Sequence, residues 1–330
     1  MRVLISGYYG FGNAGDEALL DGLLAGLRSA GHRPLVLSAD PEATRTLHGV
    51  AATHRLRGLV PALLRCQALV SGGGGLLQDR TSARSLHYYL ALVRAARLLG
   101  KRAVVYGQSL GPLSTGGREA VASTLRGVPI AVRDPASREL LAELGLPATL
   151  TADPALLLEP PTGAGHVRDG VLLIPRGGHS ALTDDLAAVG ARLLQRGCDV
   201  ELLALHPAAD DGELRRLAAE LPGATIRIAA DHRQALAFVA HARLVVSVRL
   251  HGLILAAAGA TPFVGLAYDP KVAAFVADSQ GTGFSPPIDR AKLFQAVEAG
   301  RGIDDEARAR LRARAECGLE WLDNTLRGMR

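Results

Sequence analysis

Short apolar runs alternate with amphipathic stretches along most of the chain. Residues 2–6, 34–38, 68–71, 102–106 and 130–133 have the length and aliphatic content of buried strands. Between them, apolar positions recur at helical spacing over about 15–30, 85–99 and 136–144. Residues 159–170 break the pattern with Pro160, Pro161, Gly163 and Gly165 and read as a linker. The alternation then resumes, with strands at 171–175, 200–205, 224–228, 244–248 and 262–266. Helices are expected at 184–196, 213–221, 233–242 and 251–259, and a long charged helix at 304–327. Strands that alternate with helices this closely predict parallel sheets covered on both faces. The expected fold is α/β, with two Rossmann-like domains facing a cleft: 1–160, 161–303, and a C-terminal helix, 304–330, placed to pack back on the first domain. Ligands of such sheets bind beyond the carboxyl ends of the strands.

The length, 330 residues, suits two domains. With 48% hydrophobic and 21% charged residues, disorder and coiled coil are excluded as classes. The net charge is +5, and Lys101, Lys271 and Lys292 are the only lysines among 37 basic residues. That charge shows no dense basic run, so nucleic acid is not expected as a partner, while small acidic molecules or an anionic membrane face stay open. Cys66, Cys198 and Cys317 are odd in number and far apart, which fits a reducing compartment and neither a disulfide framework nor structural zinc. Val3-Leu4-Ile5 is too short for a signal-peptide core, and no apolar run is long enough to span a bilayer, so a cytoplasmic protein is expected. The arginines of the last helix fit a solvated face better than a lipid surface.

Two glycine-rich segments follow strands. In the first, 7–17, Gly10, Gly12 and Gly15 satisfy GxGxxG, and Asp40 closes the second strand where a ribose-binding acid would stand. The turn is longer than a dinucleotide fingerprint requires, however, and Asp16 and Glu17 place negative charge where a pyrophosphate would lie. These acids either complement the helix dipole or face the cleft as acceptors from a hydroxyl substrate. Adjacent helical residues point about 100° apart, so one of them does so, with Asp16 preferred. The second segment, 71–79, is SGGGGLLQD, with no Gly-Lys-Ser/Thr to make a phosphate loop. It reads as a loop after a strand, either a crowded corner or a binding loop in which Gln78 and Asp79 reach an acceptor.

The most informative chemistry is cationic. Ser247-Val248-Arg249-Leu250-His251 stands where an apolar strand gives way to a helix. Charges there are costly to bury unless an anion answers them, and helix amides add positive potential. Tyr268-Asp269-Pro270-Lys271 follows the next strand, and Arg133 ends a strand of the first half, beside Asp134. Arg133, Arg249, Lys271 and His251 are thus candidates to converge on a small polyanion, with His251 as a protonated general acid. Arg176 and His179 follow another strand and line the cleft or merely a polar loop. DxD and HExxH are absent, and no metal or cofactor is expected.

At these residues the chain resembles the polysaccharide pyruvyl transferase family, and within it the bacterial cell-surface-anchoring type that modifies secondary cell wall polysaccharide. The resemblance rests on 7–20 (GYYGFGNAGDEALL), 71–79, 106–112 (YGQSLGP), 131–134, 247–256 (SVRLHGLILA) and 268–272 (YDPKV). It implies a fold like that of GT-B glycosyltransferases, phosphoenolpyruvate as co-substrate, and a 4,6-ketal of pyruvate as product. It further implies that Arg249, Leu250, Arg133 and Lys271 bind the donor and that His251 is the catalytic acid. Asp16 is the expected base, and Asn13, Glu17, Gln78 and Asp79 the expected acceptor contacts. The implied acceptor is an N-acetylmannosamine residue on a lipid-linked saccharide, met at the inner face of the membrane. A nucleotide-sugar glycosyltransferase and a non-catalytic sugar-binding module are the competing expectations.

Overall fold

Most of the strand residues are apolar on both faces, and the fold buries both. A computed structural model describes residues 1–80, 82–161 and 169–328 and divides the chain into two units, each built on one parallel sheet. The first comprises Met1–Phe11, Leu19–Pro154 and Arg312–Arg330; the second comprises Gly12–Ala18 and Ala155–Leu311. The boundary thus falls before the expected linker, whose residues 162–168 lie outside the described residues.

The first sheet is assembled from β1 (Arg2–Ser6), α1 (Ala14–Ser29), β2 (Arg33–Ser38), α2 (Pro41–His48), β3 (Ala51–His54), α3 (Leu59–Arg65), β4 (Ala68–Leu77), α4 (Ala83–Leu98), β5 (Arg102–Leu110), α5 (Thr115–Leu125), β6 (Ile130–Val132), α6 (Pro135–Glu143) and β7 (Thr149–Leu150). Its order is β3-β2-β1-β4-β5-β6-β7. Side chains alternate across a strand, so Leu4 and Leu69 enter one layer with Leu63 of α3 and Leu90 of α4. Ile5 and Val70 enter the other with Leu23 and Leu24 of α1. Leu322 and Leu326 complete that second layer from the last helix.

The second sheet follows with β8 (Asp169–Ile174), α7 (Ser180–Gln195), β9 (Val200–Leu203), α8 (Pro207–Glu220), β10 (Thr225–Arg227), α9 (His232–His241), β11 (Ala242–Ser247), α10 (Leu250–Ala258), β12 (Phe263–Leu266), α11 (Pro270–Asp278), β13 (Thr282–Phe284), α12 (Arg290–Ala299) and α13 (Asp305–Arg327). Its order is β10-β9-β8-β11-β12-β13. In both sheets the strand order reverses beside the first strand of the unit, the doubly wound pattern.

Two expectations are corrected. The elements α2, β3 and α3 fill a stretch that carried no helix or strand in the sequence reading. The glycines 72–75 do not leave the strand as a loop: β4 runs through them, with Gly72 opposite Tyr106 and Gly74 opposite Gln108. The reason is close packing, since a methyl group on Gly73 would lie 2.1 Å from the Leu19 side chain of α1.

Candidate functional site

The sheet of the second unit reverses order between β8 and β11, where a doubly wound sheet leaves a crevice at the carboxyl ends of its strands. The two strands end in register, with Ser247 opposite Ile174 and the Val248 amide donating to the Ile174 carbonyl. Two residues beyond these paired ends stand Arg176 and Arg249. The Ser247 hydroxyl accepts from the Arg249 amide and donates to the Arg249 carbonyl, which fixes the turn that opens α10.

Arg249 is aimed by a residue the sequence reading did not single out. The buried carboxylate of Asp210, in the first turn of α8, accepts from the Arg249 Nε at 2.9 Å and again from its Nη2. It also accepts the Gly177 amide at 3.0 Å and the His206 amide at 3.1 Å. A bidentate pair of this kind fixes the plane of the guanidinium as well as its charge. The helix start at α8 adds favourable potential for the carboxylate. The only sequence signal was an acid just after His206-Pro207 at a strand end.

Arg176 lies over the ring of Tyr268 at 4.5 Å, and the His179 ring meets the same ring at 4.0 Å. Burial pulls the Arg176 guanidinium below the usual arginine range, and the like charge of Arg249 adds to the effect against the opposing pull of Tyr268 and the nearby carboxylates. Burial pushes the Tyr268 phenol up to about 12, so it stays neutral at physiological pH. Asp269 caps α11 through the Lys271 amide, and its carboxylate lies 3.6 Å from the Lys271 Nζ. This edge therefore carries Arg176, Arg249 and Lys271 against Asp210 and Asp269, together with the N-termini of α8, α10 and α11. At these strand ends three cations and three helix N-termini face two carboxylates, an arrangement that suits a small anion of high charge density.

His251 stands in the first turn of α10, and Leu250 beside it is buried. The imidazole packs against Gly15 in the second residue of α1: a methyl group there would lie 2.2 Å from the His251 Nδ1. The helix start is held at this edge because the Ala14 amide donates to the Leu205 carbonyl beyond β9. Asn13, not an acid, caps the helix by accepting the Gly15 amide at 3.1 Å, and its side-chain nitrogen donates to Asp16. Asp16 and Glu17 are both buried. The structure thus brings Asn13, Asp16, Glu17, Arg249, Leu250, His251 and Lys271 into one unit and adds Arg176, Asp210 and Tyr268.

The remaining candidates belong to the first unit. Arg133, an expected donor contact, directly follows β6 in this unit. It is buried, with its Nη1 donating to Asp153 at 2.5 Å and its Nε to Ser109 at 2.8 Å. Asp134, its expected local partner, caps α6 instead. Asp79 accepts from the Ser114 amide and hydroxyl, bonds that hold its carboxyl below the usual range and tie down the start of α5. Gln78 is half-buried beside it. Asp40, the acid of the dinucleotide reading, caps α2 through the Glu42 and Ala43 amides.

The sequence profile of the family described as "Polysaccharide pyruvyl transferase" matches residues 13–270. No curated protein matches the chain. Among solved structures, the S. aureus MnaA–UDP co-structure superposes with a TM-score of 0.66 at 12% identity, covering 99% of this chain and 96% of that one. Sucrose-phosphate synthase from Thermosynechococcus elongatus gives 0.65 at 13% identity, covering 99% and 98%. A glycosyltransferase from Rickettsia africae gives 0.64 at 12% identity, covering 98% of each chain. At these identities the likeness shows the fold, an α/β arrangement of two Rossmann-like sheets of the GT-B kind.

Proposed function

The chain belongs to the polysaccharide pyruvyl transferase family, and from that premise we propose that it transfers the pyruvyl group of phosphoenolpyruvate to a sugar residue, forming a 4,6-ketal and releasing phosphate. The acceptor we assign is an N-acetylmannosamine residue of a lipid-linked cell wall precursor. The observation that carries the donor assignment is the pair Arg176 and Arg249, each two residues beyond the paired strand ends at the switch point of the second sheet. Two mutually repelling guanidinium groups are best relieved by a ligand with more than one negative charge, and phosphoenolpyruvate offers a carboxylate and a phosphate. Lys271 adds a point charge on the next strand end.

His251 protonates the methylene carbon of the donor, which leaves cationic character on the adjacent carbon. A sugar hydroxyl attacks there as Asp16 takes its proton. The second hydroxyl then displaces phosphate, which carries away the second hydroxyl proton, and the ketal closes. Asn13 orients the Asp16 carboxylate through its side-chain amide. General acid help of this kind is worth about 10²–10⁴ in rate, so His251→Ala is expected to lose that factor in turnover while still binding donor. Arg133, the other expected donor contact, is oriented in the first unit by Asp153 and Ser109, as Arg249 is by Asp210. The test is calorimetric titration with phosphoenolpyruvate, a nucleotide-sugar and NAD in turn, followed by phosphate release with a soluble N-acetylmannosaminide. Phosphoenolpyruvate binding lost in Arg249→Ala is the expected result. Binding and turnover of the nucleotide-sugar alone would overturn the reading in favour of a glycosyltransferase. Sugar binding with no phosphate release from any donor would leave a binding module.

A further inference from the structure

Single exposed apolar side chains on a protein surface need no explanation. A line of them beside cations does. Leu56, Val60 and Leu64 are 60%, 63% and 59% exposed. They recur every fourth residue, from the turn before α3 to its last turn, so they form one stripe along the helix. The opposite side of α3 is spent on the core through Ala62 and Leu63, with Cys66 just beyond its end. In the same layer α4 ends on Leu98, 88% exposed, followed by Leu99 at 45%. The Lys101 ammonium reaches from there to the Leu64 carbonyl at 3.5 Å. Met1 apart, these five are the exposed large apolar side chains of the first unit among the described residues.

The stretch of sequence that holds the stripe is one-sided in charge. Residues 43–118 carry eleven lysines and arginines and a single acid, Asp79, which is engaged by Ser114. The rest of the chain, with the other 31 acids and 26 bases, is net negative. Arg57 and Arg65 are exposed at either end of the stripe. Apolar side chains with a cationic margin are what an anionic bilayer recognises: the first enter the boundary between headgroups and acyl chains, and the second meet lipid phosphates. A second copy of this chain fits poorly, because a twofold contact through this face would set arginines against arginines.

We propose that the face formed by α3 and the end of α4 docks the protein peripherally on an anionic lipid bilayer. The face continues into the loop after β1: Arg55, next to Leu56, lies 4.6 Å over the Tyr88 ring and 5.3 Å over Phe11, which stacks on Tyr8 at 4.1 Å. Docking would hold that loop at the headgroup level, where a lipid-carried saccharide is presented. This last consequence rests on the acceptor assigned above, whereas the docking itself does not.

The test is flotation of the full chain with vesicles of phosphatidylcholine alone or mixed with phosphatidylglycerol. Wild type is expected to float with the anionic vesicles, and at least about tenfold more weakly with the neutral ones. The triple variant Leu56→Ser, Val60→Ser, Leu64→Ser and the double variant Arg57→Gln, Arg65→Gln are each expected to lose about tenfold or more in vesicle binding. Both should keep wild-type phosphate release on a soluble acceptor, because the substituted positions lie on the surface outside the proposed machinery. That readout separates failure of docking from failure of the donor assignment. Absence of wild-type flotation, or flotation unchanged in both variants, would overturn the proposal. So would concentration-dependent dimers in sedimentation that the serine variant abolishes without any vesicle binding, which would make the face a contact between copies.

Discussion

Replacing Asp210 by Asn tests whether the buried carboxylate is what aims Arg249. The change is nearly isosteric, but it removes the negative charge and turns one acceptor into a donor facing the guanidinium. In the structure that carboxylate accepts four bonds, two from Arg249 and two from the Gly177 and His206 amides. Breaking a buried pair by removing one partner costs about 3–5 kcal/mol. Asn retains one acceptor and Arg249 keeps some access to solvent, so the lower end, about 3 kcal/mol, is expected. For a unit of this size each kcal/mol lowers Tm by about 2–4 °C, which gives a fall of about 6–12 °C. The loss of aim should appear separately. A charge-assisted bond between Arg249 and the donor is worth about 1.5–3 kcal/mol, so donor Kd should rise about 10- to 150-fold with a smaller effect on kcat. Calorimetric titration with phosphoenolpyruvate and scanning calorimetry measure the two effects. In the double variant with Arg249→Ala the donor effects should not add, because both act through one group. A lowered Tm with donor affinity intact would refute the positioning role and leave Asp210 purely structural. Additive effects in the double variant would refute it as well.

Three further outcomes are expected. Gly15→Ala puts a methyl group 2.2 Å from the His251 Nδ1; it should lower kcat through a displaced imidazole, although alanine is the better helix former by about 0.5–1 kcal/mol, and a wild-type kcat would count against the contact. Tyr268, raised to about 12 by burial, should remain neutral in the fold while an unfolded tyrosine ionises near 10. Its contribution to stability is therefore fully present below pH 10 and lost as pH rises toward 12; ultraviolet titration of wild type against Tyr268→Phe reads this directly, and identical curves would deny the shift. Burial pushes the Cys66 thiol up, whereas Cys317 is exposed. Limited alkylation followed by mass spectrometry should therefore label Cys317 well before Cys66, and the reverse order would contradict the burial of α3 against its sheet.

What was legible in the amino-acid order was local. Apolar runs of strand length alternating with helical spacing defined the two parallel sheets, because burial on both faces imposes that pattern on each strand independently. Arg249, His251 and Lys271 stood out for the same reason: each directly follows an apolar strand, where a charge has no packing purpose. The segment 41–65 was missed because α2, β3 and α3 are each too short for their periodicity to be read. The glycines of β4 misled because glycine suggests a turn unless one knows that Leu19 of α1 presses on the strand. The basic bias of 43–118 is countable in the sequence, but its meaning depends on α3 being left uncovered. Only the tertiary structure decided which charges answer one another. Arg133 meets Asp153 twenty residues on, and Arg249 meets Asp210 thirty-nine residues back. Such pairings are set by strand order and by which helix starts beside which strand end, and the spacing of residues along a chain carries no record of either.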